Sequence, residues 1–223
     1  MSAHGGVSIG TAIVSYIEPH PGHAVDFNRW YELDHFPATV TGGPGVFAGS
    51  RFVATRACKE LRPPGRLFGD PARGSYLAVA WVLPGKQAEW DEWVGKEMQT
   101  IAEQDRLFPY RDHVHTAVYR DVGPTDDVDV VVALDRAHAG VVVVADEGPL
   151  LALPTDQVDA LAVLTLERTI VSDAEPPPHN LALAFCADPI ATFGRVAAQV
   201  AGAGFASPFL ATVPGTDTYA DDL

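Results

Sequence analysis

The chain has 223 residues, and 47% of them are hydrophobic, so it can form one large domain or two small ones and is not disordered throughout. Its 29 acidic residues against 15 basic ones give a net charge of −14, which argues against nucleic acid or an anionic membrane as a partner, because both favour clustered lysine and arginine. No signal-peptide pattern is visible and no apolar run approaches the ~18 residues of a membrane span, so we expect a cytoplasmic protein.

Six elements are predicted in the first half of the chain. They are a strand at 8–17, a helix at 26–37, strands at 46–58 and 75–83, a helix at 86–107 and a strand at 113–119. The order strand, helix, strand, strand, helix, strand is that of the ferredoxin-like fold, in which two helices cover one face of a four-stranded antiparallel sheet. We assign residues 7–121 to this unit.

The second half, residues 126–216, repeats this order in a weaker form. Strands are predicted at 140–146, 161–171, 181–187 and 207–213, with a short helix at 128–138, an irregular segment at 147–159 and a helix that begins at Asp188 and Pro189. A proline-rich connector precedes the third strand of both halves. We interpret the pattern as an internal duplication that gives an α+β protein with tandem ferredoxin-like halves, and two unrelated α+β pieces are the alternative.

The two cysteines, Cys58 and Cys186, are too few for a disulfide framework. Both lie in apolar, strand-like runs. We therefore expect two buried free thiols.

The helix at 26–37 is unusual, because it carries polar and aromatic side chains where a purely structural helix would bury aliphatic ones. Residues three and four apart share a helix face, which gives two adjoining stripes: Phe27, Trp30, Tyr31 and Asp34, and Asn28, Tyr31 and His35. Pro37 is expected to end the helix. The glycines at 42, 43 and 45 follow a helix rather than opening one, so they do not form a phosphate-binding loop.

The pattern Phe27, Trp30, Tyr31, His35 and Pro37 on the first helix of a ferredoxin-like unit resembles the dimeric α+β barrel superfamily, and within it EthD-like proteins. The resemblance implies two ferredoxin-like sheets packed into one barrel, here a pseudo-dimeric one built from a single chain, with a pocket between sheet and helices. Relatives include cofactor-free monooxygenases, isomerases, polyketide cyclases and haem-binding branches. The second half lacks the motif, so only the N-terminal half is expected to carry a site.

Acid–base chemistry is the function that these residues favour. A neutral imidazole can accept and return a proton near neutral pH, so we predict His35 as a catalytic residue together with Asp34 and Tyr31. Asp34 is not an obvious partner for His35, because adjacent side chains on a helix diverge. The alternative is a structural His35 at a helix C-terminus, where a positive charge is favourable.

Further side chains are predicted to bind the substrate through hydrogen bonds, charge or aromatic contacts. They are Tyr16, Asn28, Trp30, Arg51, Trp81, His113 and His115. Strand alternation would place His113 and His115 on one face. Three histidines, or two with Asp34, could hold a metal, but we favour ordinary hydrogen-bonded histidines and expect neither a metal nor another cofactor.

The predicted function is therefore a cofactor-free enzyme that uses histidine acid–base chemistry on a small, mostly apolar or aromatic oxygenated compound. The reaction would be that of an isomerase, a lyase or dehydratase, a cyclase or a monooxygenase. The alternative is a non-catalytic protein of the same fold that binds a small ligand or haem. A homodimer is the expected assembly, because most soluble oligomers are symmetric homo-oligomers.

Overall fold

The computed structural model describes residues 7–123, 134, 138–149, 153 and 158–223. The described residues form eight strands, four α-helices and short helical turns. The strands are β1 (Thr11–Pro19), β2 (Val46–Val53), β3 (Tyr76–Val82), β4 (Arg111–Asp121), β5 (Gly140–Asp146), β6 (Ala160–Ser172), β7 (Asn180–Cys186) and β8 (Phe205–Ala211). The first helix, α1 (Ala24–Trp30), continues as π-helical turns at Tyr31–His35 and Pro37–Thr41. The later helices are α2 (Arg56–Lys59), α3 (Gln87–Glu103) and α4 (Pro189–Val200), and a 3₁₀ turn (Ala220–Asp222) lies near the C-terminus.

The eight strands close into an antiparallel barrel. Their order is β1-β3-β2-β8-β5-β7-β6-β4, and β4 returns to pair with β1. Numbered within their own half, β5 to β8 follow the same order as β1 to β4. The two seams between the halves differ, because β4 pairs with β6 from His115 to Asp121 whereas β2 and β8 pair only at Phe52 and Val53.

The barrel interior contains a core of large apolar side chains. The side chains of Tyr16, Trp81, Tyr119, Phe185 and Phe209 point into this core and are almost completely buried. On the outside, α1 and α3 cover the sheet of the first half and α4 covers that of the second. The space between the helices and the sheet is therefore one place where a ligand can bind.

Most element predictions of the first half are confirmed, with two corrections at the boundaries. β2 ends at Val53, and Cys58 belongs to the short helix α2 rather than to a strand, although both cysteines are buried and free as expected. Pro37 does not end the first helix. The chain continues as a π-helical turn in which the N–H of Gly42 donates to the Pro37 carbonyl at 3.0 Å.

The sequence explains how this continuation tolerates a proline. Pro37 occupies the first position of its turn, where a missing N–H is least costly. The hydroxyl of Thr39 donates to the carbonyl of His35 at 2.8 Å, so this carbonyl has a hydrogen-bond partner. As a result the helix runs past His35, which lies within it rather than at its C-terminal end.

In the second half, the predicted strands and the helix cap are confirmed. The carboxylate of Asp188 accepts a hydrogen bond from the Ala191 N–H at 2.9 Å, and Pro189 is the first helical residue. The predicted short helix at 128–138 lies outside the described residues except for positions 134 and 138. Most of the segment 147–159 also lies outside them.

A β-bulge corrects the expectation that His113 and His115 share a face. Tyr16 pairs with His115 and Ile17 with His113, so Val114 is an extra residue opposite β1. The imidazole of His115 consequently faces the barrel core, whereas that of His113 lies on the outer, helix-covered side with Thr116.

The C-terminal segment is tied to α1 through the buried amide of Asn28. This amide donates to the Thr216 carbonyl at 3.2 Å and to Asp217 at 2.8 Å, and its oxygen accepts from Arg51 at 2.9 Å. The hydroxyl of Tyr219 adds a bond of 3.3 Å. Among the described residues, no helix is both long and apolar enough to span a membrane.

We predict that Asn28→Ala destabilises the fold. Several polar partners of Asn28 would lose a bond at a buried site, where each unsatisfied group costs about 1–3 kcal/mol, so we expect the free energy of unfolding to fall by about 2–3 kcal/mol. Denaturation in urea measures this change. Arg29→Ala is the matched control, because Arg29 pairs with the same Asp217 from an exposed position and should cost less than about 1 kcal/mol. Equal losses in the two variants would contradict the assignment.

Candidate functional site

A cavity of about 370 Å³ lies between the first helix, α3 and the outer face of β1 and β4. We call it the helix-side cavity. Its lining has an apolar part and a polar part: the apolar part is Ile13, Val40, Trp90, Val94, Met98 and Ile170, and the polar part includes Ser15, Tyr31, His35, Thr39, Arg111, His113 and Thr116. The volume is at the lower end of the roughly 300–1,000 Å³ typical of small-molecule sites.

His35 projects from the helix into this lining and is almost fully buried. Its ring stacks on the Trp30 indole, with ring centres 4.5 Å apart and planes at 24°. The pKa of His35 is lowered to about 3, mainly by burial and to a smaller extent by the positive charge of Arg111 and by the neighbouring His113. The imidazole is therefore neutral at physiological pH. Its Nδ1 is buried without a hydrogen-bond partner among the described residues.

Trp30 holds the ring of His35 in place and is itself held by the end of α3. The indole N–H donates to the Arg106 carbonyl at 2.7 Å. The guanidinium of Arg106 forms an ion pair with Asp34, and this hydrogen bond lowers the pKa of Asp34, so the carboxylate is ionised. Asp34 does not line the cavity and serves to fix the helix to the chain that follows α3.

Arg111 and His113 form the polar floor of the cavity on β4. The Nε of Arg111 donates to His113 Nε2 at 3.3 Å. A neutral imidazole has one donor and one acceptor nitrogen, so His113 Nδ1 carries the proton and donates to Thr116 at 3.2 Å. The pKa of His113 is lowered to about 4, mainly by burial and in part by the charge of Arg111, which keeps this ring neutral as well.

Tyr31 completes the polar wall. Its ring packs at 5.2 Å from that of His35, and the guanidinium of Arg51 lies 4.9 Å from its centre. Burial raises the pKa of Tyr31 to about 12. The phenol is therefore protonated, and it can donate a hydrogen bond to an oxygen of a ligand.

Three of the predicted substrate-binding residues lie in the barrel core, away from this cavity. Tyr16 and Trp81 belong to the core, and His115 bonds there to the Tyr119 hydroxyl at 2.8 Å and to Ser172 at 3.0 Å. Asn28 anchors the C-terminal segment. The residues that the sequence predicted as one binding site therefore lie on both faces of the same sheet.

Arg51 lines a second cavity, of about 360 Å³, near the short seam between β2 and β8. It is buried, and it approaches Glu32 at 3.5 Å and donates to Asn28. Its charge is therefore compensated within the protein. The guanidinium of Arg51 lies over the Tyr31 ring, but Arg51 does not line the helix-side cavity.

No group of three or more metal-binding side chains occurs in the described part of the chain. The bulge at Val114 separates His113 from His115, so the histidine set considered from the sequence is not brought together.

The sequence reasoning missed Arg111, which lines the cavity two residues before His113. Alternation along a strand would have placed the two side chains on one face. Thr116, Trp90 and Met98 were also missed as lining residues. The face of α3 that carries the last two reads as an ordinary apolar stripe, so the sequence contains no signal that distinguishes them.

The buried neutral histidines predict a loss of stability on mild acidification. The pKa values of His35, His113 and His115 are about 3, 4 and 4 in the folded protein, against 6.5 unfolded, so the unfolded chain binds more protons as the pH falls below 6.5. Each histidine should lower the free energy of unfolding by up to about 1.4 kcal/mol per pH unit in that range.

Urea denaturation between pH 7 and pH 5, above the range in which carboxylates are protonated, measures this slope. In His35→Gln the change in the free energy of unfolding per pH unit should be smaller by up to about 1.4 kcal/mol, because glutamine takes up no proton. A slope that is the same in the variant and the wild type would show that His35 takes up its proton normally in the folded state.

Comparison with known proteins identifies the fold. No protein-family model matches the chain, and no curated protein matches it either. It is similar to the crystal structure of TA0507, a protein provisionally named as a chlorite dismutase, with a TM-score of 0.54 and 10% sequence identity over 97% of this chain and 99% of that one. At this identity the likeness shows the fold alone. The chain has an α+β fold with a closed eight-stranded antiparallel barrel, and this fold is similar to that of the neighbouring structure.

Proposed function

We propose that the helix-side cavity is the active site of a cofactor-free enzyme that transfers protons on a small, mostly apolar or aromatic oxygenated compound. The observation that carries this proposal is the buried, neutral imidazole of His35, whose Nδ1 has no hydrogen-bond partner among the described residues, in a cavity that also contains a protonated phenol and a guanidinium. Unsatisfied buried polar atoms are rare in folded proteins, and a ligand is one way to satisfy them. An isomerase, lyase, cyclase or monooxygenase could use this set.

The residues can divide a proton transfer between them. His35, present as the neutral base, would accept a proton from a carbon next to a carbonyl group, and the electron pair would move to the carbonyl oxygen. The hydroxyl of Tyr31 and the charge of Arg111 would stabilise the resulting oxyanion. The proton would then return to another carbon or oxygen of the same compound, which gives an isomerisation with no net change in oxidation state.

The low pKa of His35 makes it a weak base while the cavity is empty. Burial and the charge of Arg111 are the main causes. Negative charge that develops on a bound compound would offset the second cause, and the pKa of His35 would rise during the reaction. Substrate binding would therefore make His35 a stronger base, because the bound compound offsets the charge on Arg111.

We further propose that the chain is a tandem pair of ferredoxin-like halves, at 7–121 and 126–216, and that it is related to EthD-like proteins. The shared strand order of the two halves supports the duplication. Homodimer formation is a separate proposal that light scattering at several concentrations would test.

The alternative function is a non-catalytic small-ligand or haem-binding protein. The low pKa of His35 favours this reading, because a strongly depressed pKa suits a hydrogen-bonding or ligating imidazole better than a base. The volume of the cavity fits a mono- or bicyclic compound better than a porphyrin. A Soret band that survives dialysis of the purified protein would support haem and contradict the cofactor-free proposal.

Removing the base tests the proposal. With 2-tetralone as a probe in D₂O, the wild type should accelerate exchange of the hydrogens next to the carbonyl, as followed by proton NMR. His35→Ala should slow the enzymatic exchange by the ~10²–10⁴ typical of lost acid–base catalysis. Melting of the same preparation separates catalysis from stability. Undiminished exchange in the folded variant would end the catalytic assignment of His35.

Filling the cavity from the side of α3 is an independent test. Gly95 lines the cavity, and a Cβ added to it would meet no atom within 4 Å. Gly95→Leu should therefore abolish exchange while leaving the fold intact or more stable, by up to about 1 kcal/mol, because glycine disfavours helix interiors. Gly95→Ala is the control: it should give a similar gain in stability and keep most of the activity. Full activity in Gly95→Leu would place the reaction elsewhere.

A further inference from the structure

The helix-side cavity contains a positive charge that no acidic side chain of the described chain neutralises. Arg111 is half-buried, its guanidinium lies 4.6 Å from the centre of the Trp30 ring, and its hydrogen bond goes to the neutral His113. Burial lowers the pKa of Arg111, and the sole opposing influence is Tyr31, whose phenol is protonated at physiological pH. A partly buried cation without a counter-ion is costly unless a ligand supplies one.

The other charges at this site are already paired. Asp91, at the rim, accepts from Arg168 at 2.8 Å, and Asp34 is bound to Arg106 outside the cavity. The rings that face Arg111 are neutral. Among the described residues that line the cavity, Arg111 is thus the charged side chain without a counter-ion.

The apolar side chains of the cavity indicate which kind of group the uncharged part of the ligand contains. Trp90, Val94 and Met98 of α3 face Ile13 of β1 across the cavity, with Ile170 of β6 at the rim. These side chains would bury an aromatic ring or a short hydrocarbon, with roughly 25 cal/mol gained for each Å² of apolar surface removed from water.

We propose that the natural ligand is a small, mostly apolar carboxylate whose carboxylate group pairs with Arg111 while its body lies against the apolar wall. This inference rests on the proposed function in that both use the helix-side cavity and the charge of Arg111. Arginine suits the role because its planar guanidinium can donate two hydrogen bonds to one carboxylate.

Calorimetry with 2-naphthoate and its neutral isostere 2-naphthamide tests the proposal. The wild type should bind 2-naphthoate roughly tenfold or more tightly than 2-naphthamide, because hydrogen bonds to charged groups are stronger than neutral ones. Arg111→Met should abolish this preference by weakening the binding of 2-naphthoate alone. Arg111→Lys, which keeps the charge but not the planar fork, should retain part of it.

Two controls locate the effect. Arg120→Gln removes an exposed arginine from the same strand, where it lies 3.8 Å from Glu167, and should leave both affinities unchanged. Gly95→Leu should abolish the binding of both probes. Melting curves show that each variant is folded.

Equal affinities for the two probes in the wild type would overturn the carboxylate proposal and leave the cavity as a ligand site. A preference that survives in folded Arg111→Met, or binding that survives in Gly95→Leu, would also overturn it. Failure of the wild type to bind either probe would contradict the carboxylate proposal and would count against the proposed ligand site as well.

Discussion

The position of the Trp30 indole organises the chemistry of this protein. One ring contacts both the imidazole of His35 and the guanidinium of Arg111, and its N–H is anchored to the Arg106 carbonyl. A cation and a neutral base are thereby kept close to each other in a partly buried cavity. Burial, together with the repulsion that a protonated His35 would meet from Arg111, keeps His35 neutral, so the helix, the bulged strand β4 and the end of α3 together set its protonation state.

The barrel core is consistent with a candidate site outside it. Large side chains such as Trp81, Tyr119 and Phe185 occupy the interior, whereas the helix-side cavity lies between the sheet and the helices. The two halves use that space differently. In the second half, Phe193, Val196 and Val200 of α4 pack directly on β5 and β7 as an apolar layer. In the first half, aromatic and polar residues leave a cavity, which agrees with the sequence motif occurring once.

The sequence predicted the elements well because hydrophobic alternation and helical spacing are local properties. It also indicated the helix with His35 and Tyr31, since polar residues on a packing face are visible in the sequence. It could not predict the bulge at Val114, because an extra residue changes the facing of a strand without changing its composition. The roles of Asn28 and Asp34 depend on distant partners in the fold, namely the C-terminal segment and Arg106.

The central claim is that ligands bind on the helix-covered face and not in the barrel core. NMR of the imidazole nitrogens in protein labelled with ¹⁵N-histidine tests it directly, with 2-naphthoate added stepwise. The signals of His35 and His113 should shift with the probe, and those of His115, which lies across the sheet and bonds to Tyr119, should remain unchanged. A shift of His115 with no change at His35 and His113 would contradict the claim.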